Sequence, residues 1–205
     1  MNTVAIRAYK RSLTLRNQQH DFLVGTLLGD GHLECQTKNT ARLKVEHTIV
    51  QSEYVMWKYD LMCEWVRNSP HIKIKKSGLG VSLNLAFTTL SHPELGDLWS
   101  TFYRDKDKQV PIDISLSPFA LAVWFMDDGS RKSKRGRGLY LNTQSFNDKS
   151  IHTLQLMIDR DFGIKTTVRM QQDGSQIYIP AKSTLQFVEI VKPFVIPSMR
   201  YKLPD

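Results

Sequence analysis

The stretch Phe22-Leu-Val-Gly-Thr-Leu-Leu-Gly-Asp-Gly-His32 decides how the rest of this chain is read. It has the make-up of an apolar helix that runs from an Asn17 cap to an acidic residue between two glycines. Leu23, Leu27 and Leu28 supply aliphatic bulk, while Gly25 and Gly29, four apart, open a groove along one helix face. Each glycine inside a helix costs roughly 1 kcal/mol against alanine, so close approach of a second helix backbone is the expected compensation. Asp30 then stands at the helix end, beside whatever packs there.

The pattern recurs as Leu121-Ala-Val-Trp-Phe-Met-Asp-Asp-Gly129, which puts Asp128 98 positions after Asp30, close to half of 205 residues. The elements after each motif repeat as well. A hairpin comes first, over 32–50 in one half and around a basic turn at 130–144 in the other. Then come a helix (53–67 and 148–162), a second hairpin (71–88 and 164–179, turning on Asp173-Gly174) and a closing helix (93–102 and 183–191). Tyr54, Trp57, Leu61 and Trp65 form the apolar stripe of the helix over 53–67, and Ser117-Pro118 opens the second motif helix with N-cap and N1 chemistry. Each half closes on a lysine shortly before a proline: Lys108 lies 78 positions beyond Asp30, and Lys202 lies 74 beyond Asp128. Gln51 and Gln144 end the first hairpin of each half. The chain is therefore an α+β duplication, residues 1–112 and 113–205, each half in the order αββαββα.

Net charge narrows the partner. With 28 Lys and Arg against 20 Asp and Glu the chain carries +8, which favours a polyanion. No amphipathic basic helix stands out, so nucleic acid is preferred to an anionic membrane. No apolar run approaches the ~18 residues of a membrane span, and the basic first 19 residues lack an apolar signal core. Cys35 and Cys63 have no CxxC spacing, which excludes a zinc site or disulfide framework and suits a reducing compartment.

Two glycine-grooved helices can pack across a pseudo-two-fold axis and bring Asp30 and Asp128 to one end of their interface. Two such carboxylates repel unless a cation lies between them, and a hard, oxygen-ligated Mg²⁺ is the natural occupant. A metal near a phosphodiester can activate water and neutralise the leaving oxygen, while Lys108 and Lys202 can stabilise charge in the transition state. Two-stranded hairpins fit the DNA major groove, where Arg, Lys and Gln read base edges and hold phosphates. Exposed hairpin positions of these types are Gln36, Lys38, Arg42, Lys44, Lys73, Lys75, Lys76, Arg131, Lys132, Lys134, Arg135, Arg137, Arg169, Gln171 and Gln172.

LVGTLLGDG and LAVWFMDDG together resemble the paired signature of the LAGLIDADG homing endonucleases. The run from Trp124 through Asn142-Thr-Gln-Ser-Phe146 to Tyr201-Lys-Leu-Pro204 is similar to the single-chain, two-motif, intron-encoded group. That resemblance implies a monomer whose two halves form a saddle of antiparallel sheets with the motif helices at the central interface. It implies binding of a long asymmetric double-stranded DNA site, cleavage of both strands to short 3′ overhangs, and promotion of intron mobility. It maps the metal-binding carboxylates to Asp30 and Asp128, the adjoining carbonyls to Gly29 and Asp127, the basic groups to Lys108 and Lys202, and the water-organising positions to Gln51 and Gln144. Mg²⁺ is the implied cofactor, with Mn²⁺ or Ca²⁺ as alternative occupants.

One departure stands out: Val123 and Asp127 occupy the places where the first motif has Gly25 and Gly29. The alternatives are an RNA-binding intron maturase on the same scaffold, with intron RNA as partner, and a DNA-binding protein that no longer cuts. An organelle or a bacterial cytoplasm is the expected location, not the secreted space.

Overall fold

The computed structural model describes residues 4–37, 39–77, 80–105, 107–133 and 136–204. They divide into two compact units, Met1–His20 with Gly31–Ser100, and Asp21–Asp30 with Thr101–Asp205.

In the first unit, β1 (His32–Thr37), β2 (Thr40–Thr48), β3 (His71–Ser77) and β4 (Gly80–Thr88) form an antiparallel sheet in the order β1-β2-β4-β3. β2 alternates as a strand covered on one side must: Ala41, Leu43, Val45 and His47 are buried, while Arg42, Lys44 and Glu46 are half-exposed. α3 (Ser52–Met62) covers the apolar face. Its buried stripe is Tyr54, Val55, Lys58 and Met62, rotated from the expected one, so that Trp57 and Leu61 are half-exposed. A 3₁₀ turn at Cys63–Trp65 tightens the helix end and still carries Trp65 into the core. Lys58 is fully buried because its ammonium sits 4.4 Å over the Tyr54 ring and 3.1 Å from His47 Nε2. α4 (Pro93–Phe102) closes the half, and α1 (Val4–Ser12) precedes it with no buried residue. Both cysteines are exposed free thiols.

The second unit repeats the pattern. α2 (Asn17–Leu28) gives it most of its length, and the short ribbon β5 (Tyr103–Arg104) and β6 (Asp107–Lys108) leads to α5 (Pro118–Asp128). Ser117 caps α5 as expected, its hydroxyl accepting from the Ala120 amide. β7 (Gly129–Arg131), β8 (Leu139–Leu141), β9 (Thr167–Gln171) and β10 (Gly174–Ile179) take the order β7-β8-β10-β9, matching the first sheet. α6 (Asp148–Phe162) and α7 (Ala181–Val191) complete it. The last strand of the first hairpin stops at Leu141 rather than running to Gln144.

Phe119–Asp127 are all buried and all but Asp127 are apolar, so α5 is central rather than amphipathic. The glycines of α2 answer to it. A Cβ at Gly25 would overlap the Ala120 carbonyl oxygen and lie 2.7 Å from Val123 Cβ; one at Gly29 would overlap Asp127 Cβ and lie 2.8 Å from its Oδ2. Small residues on α2 thus meet larger ones at the matching positions of α5.

Candidate active site

The two motif ends arrive in one unit, each with a lysine from its own half. Lys108, on β6, donates from Nζ to the Gly29 carbonyl at 3.0 Å. Lys202, at the end of a 3₁₀ turn over Pro197–Lys202, is buried and donates to the carbonyls of Met126 (2.5 Å) and Asp127 (2.7 Å). The carbonyl before each terminal aspartate therefore carries an ammonium. Two lysines matched only by position in the sequence occupy equivalent places in space.

Three carboxylates share the site. Asp30 is exposed, Asp128 is half-buried and Asp127 is 8% exposed. Carboxylate oxygens of Asp30 and Asp127 come within 4.8 Å of one another. Thr26 donates its hydroxyl to Asp127 Oδ2 at 2.9 Å, fixing that side chain between α2 and α5. Burial, and then the charges of Asp30 and Asp127, push the Asp128 carboxyl up to about 7, against the pull of Lys108 and Lys202.

A hard divalent cation fits this donor set. The oxygens are carboxylate and carbonyl, and the carboxylates are held close together at an energetic cost that a cation would relieve. The lysine ammoniums already stand on the two carbonyls, so the carbonyl dipoles face positive charge.

The glutamines are placed differently. Gln51 ends a 3₁₀ turn entering α3, in the first unit, and is half-exposed. Gln144 donates from Nε2 to Asp173 Oδ2 at 3.4 Å, at the β9–β10 turn. The residue tied to Asp128 by the backbone is Asn142, whose amide donates to the Asp128 carbonyl at 2.9 Å while its Oδ1 accepts from Gln176 Nε2 at 2.7 Å. Only the register Gly129↔Leu141 reveals that neighbour.

Cross-strand partners share a face, and this sorts the hairpin residues. In the first sheet Arg42, Lys44, Lys73 and Lys75 share the outer face with Glu34, Glu46 and Asn84. They are not bare cations: Arg42 pairs with Glu34 (2.6 Å), Lys44 is 3.9 Å from Glu34, and Lys73 (3.2 Å) and Lys75 (2.7 Å) both pair with Glu46. Lys75 first, then Asn84 and Lys73, hold the Glu46 carboxyl down to about 2. Gln36 is exposed where the β1–β2 register shifts, and Lys76 pairs with Val81 on the helix side of the hairpin.

In the second sheet Arg169 hydrogen-bonds Tyr140 Oη and pairs across the strands with Gln176, to which Gln171 donates at 3.3 Å. Lys132 lies 5.3 Å over the Tyr178 ring. Gln172 is exposed in the turn and Arg137 in the loop before β8. Arg131, expected on the exposed face, pairs with Leu139 and so lies on the helix side, half-buried with its Nε enclosed. Lys38, Lys134 and Arg135 fall outside the described residues. Reading cations alone missed Glu34, Glu46, Tyr140 and Tyr178, which no charge count would single out.

Comparison with known proteins finds similar sequences and a similar fold along most of the chain. The model of the LAGLIDADG DNA endonuclease family matches residues 20–187. Cytochrome b mRNA maturase bI2 of Debaryomyces hansenii is 30% identical over 92% of this chain and 74% of that protein. DNA endonuclease I-ChuI of Chlamydomonas applanata is 30% identical over 94% of this chain and 97% of its own. The homing endonuclease I-WcaI bound to its DNA recognition sequence superposes with a TM-score of 0.92 at 27% identity, covering 98% of this chain and 93% of that one.

Proposed function

The chain belongs to the LAGLIDADG DNA endonuclease family, and from that membership we propose that it is a site-specific homing endonuclease. It makes metal-dependent double-strand breaks in a long asymmetric DNA target and so promotes the mobility of its host intron. The observation that carries this reading is the pairing of Asp30 and Asp128 at equivalent motif ends, each beside a carbonyl capped by Lys108 or Lys202. Degenerate motifs would have no reason to keep both.

Asp30 and Asp128, with the carbonyls of Gly29 and Asp127, would hold divalent metal, Mg²⁺ first and Mn²⁺ or Ca²⁺ as substitutes. A metal held there would supply Lewis-acid chemistry, activating a water and offsetting charge on the scissile phosphate. Lys108 and Lys202 keep the carbonyls oriented and offer positive charge to the pentacovalent transition state. Gln51 and Gln144 are assigned to ordering water, with Asn142 as the residue better fixed beside Asp128. The outer faces of the two sheets, one from each half (1–112 and 113–205), take the duplex. The protein works as a monomer in an organelle or a bacterial cell, and its exposed free thiols suit a reducing compartment.

The test is incubation with Mg²⁺ and a plasmid library of insertion sites, using wild type, Asp30→Asn and Asp128→Asn. A specific double-strand break in wild type, reduced to nicking or lost in either variant while DNA binding persists, is the expected result. Variants that cut like wild type would remove the metal-site assignment. The likeness to an mRNA maturase favours one second reading, intron RNA binding. Tight binding of structured intron RNA with no cleavage of any DNA would support it instead.

A further inference from the structure

One basic feature remains unused by the catalytic reading. α1 buries none of its residues, yet it is held in place by polar contacts: Tyr9 Oη donates to the Glu64 carbonyl (2.7 Å), Lys10 Nζ donates to Ser91 Oγ (3.0 Å), and His92 Nε2 lies 2.9 Å from the Lys10 carbonyl. Between α1, the start of α4 and the β1–β2 turn lies a cleft of about 550 Å³, lined by Arg7, Lys10, Arg11, Thr40, His92 and Glu94 among others. Arg7 and Arg11 are one helical turn apart and enter no ion pair among the described residues. Glu94, the carboxylate of the cleft, is turned onto the Leu15 amide (2.9 Å). The first turn of α4 adds its own positive end.

We propose that this cleft is a phosphodiester site that grips DNA flanking the target on the side of the first half. The inference rests on the endonuclease reading and deepens it. β1 starts two residues after Asp30 and, at about 3.3 Å per residue, carries the chain roughly 20 Å to the turn that leads into Thr40, the first residue of β2. A duplex lying on the outer face of the sheet and leaving past that turn would come to the cleft that Thr40 lines together with Arg7 and Arg11. At 3.4 Å per phosphate along a strand, the length of β1 alone corresponds to about six phosphate steps. The arginines would bind them without reading bases, adding affinity and holding the register.

The test uses the full chain in EDTA with two fluorescent duplexes: a 60-base-pair one centred on the cleaved site, and the same site trimmed to end about five pairs beyond the cut on that side. Arg7→Ala/Arg11→Ala is expected to weaken binding to the long duplex at least tenfold and to lower its log–log salt slope by about 1.8, two contacts at about 0.9 each. Arg7→Lys/Arg11→Lys should restore both, and on the trimmed duplex wild type and variant should coincide. Equal affinity and slope on the long duplex, with wild type still binding it, would overturn the cleft while leaving the endonuclease reading intact. Wild type binding neither duplex would overturn both.

Discussion

Asp128→Asn separates what the catalytic cluster does for chemistry from what it costs the fold. Folding moves the Asp128 carboxyl from 3.8 to about 7, chiefly through burial and then through Asp30 and Asp127. About three pKa units at 1.36 kcal/mol each set a ceiling of roughly 4 kcal/mol on the cost of keeping it ionised. Because Asp128 borders solvent, about half of that, roughly 2 kcal/mol, is the expected gain when asparagine replaces it. The sign comes from proton counting. Between about pH 4 and 7 the folded state holds a proton that the unfolded state has released, so the metal-free protein loses stability as pH rises through that window. In EDTA, then, Asp128→Asn should melt with wild type near pH 4 and above it at higher pH. The gap should level off past pH 7 at about 4–8 °C for a chain of this size. Added Mg²⁺ should raise the wild-type melting temperature and narrow the gap, since ligand binding to the folded state stabilises it. A calorimetric pH series checks this. A variant no more stable than wild type at pH 8 in EDTA, or a gap independent of pH, would refute the electrostatic account of the site.

Lys108→Met and Lys202→Met should each slow cleavage by about 10²-fold, and time courses on supercoiled plasmid should show nicked circles accumulating with opposite strand bias. Gly25→Ala forces a methyl onto the Ala120 carbonyl, and should lower stability by about 1–3 kcal/mol in denaturant titration. Glu46→Gln releases Lys73 and Lys75 from their shared carboxylate. It should strengthen binding to unrelated DNA and steepen its salt dependence by up to about 1.8, with sequence discrimination reduced in competition assays.

Periodicity and spacing are enough for the element order, because apolar alternation and helical stripes are properties of local sequence. The Lys108 and Lys202 match is legible for the same reason, a repeat in position. What the sequence does not reveal depends on pairing between strands. β7 has three residues, and a one-residue change in its register reverses which side Arg131 faces. Lys76 is exposed as expected, but only its pairing with Val81 shows that it lies on the face opposite Lys73 and Lys75. Gln144 resembles a partner of Gln51 because both come after a hairpin, yet β8 ends three residues earlier and the turn directs Gln144 to Asp173. Glu34 and Glu46 escape a sequence reading because an acidic residue on a DNA-binding surface makes sense only once its cations are seen around it.

The unequal motif helices bear on why one chain carries both. Gly25 meets Val123 and Gly29 meets Asp127, and in each pair the two residues stand at the same distance from the terminal aspartate. Equal positions thus face each other across the axis relating the helices. In a symmetric dimer of either half, each position would meet itself. Two copies of the first motif would set Gly29 against glycine and leave a void where Asp127 now sits. Two copies of the second would set one buried carboxylate against another, without Thr26 to hydrogen-bond it. Neither half can rebuild this interface alone. Joining the halves lets one side keep the space and the other fill it, which is a physical reason for the protein to act as a monomer. It also predicts the outcome of splitting the chain near residue 112: the two fragments should be recovered from co-expression as a heterodimer, and neither should form a stable dimer with itself. A stable, folded homodimer of either fragment, seen by light scattering and circular dichroism, would show that the glycine–aspartate complementarity is dispensable.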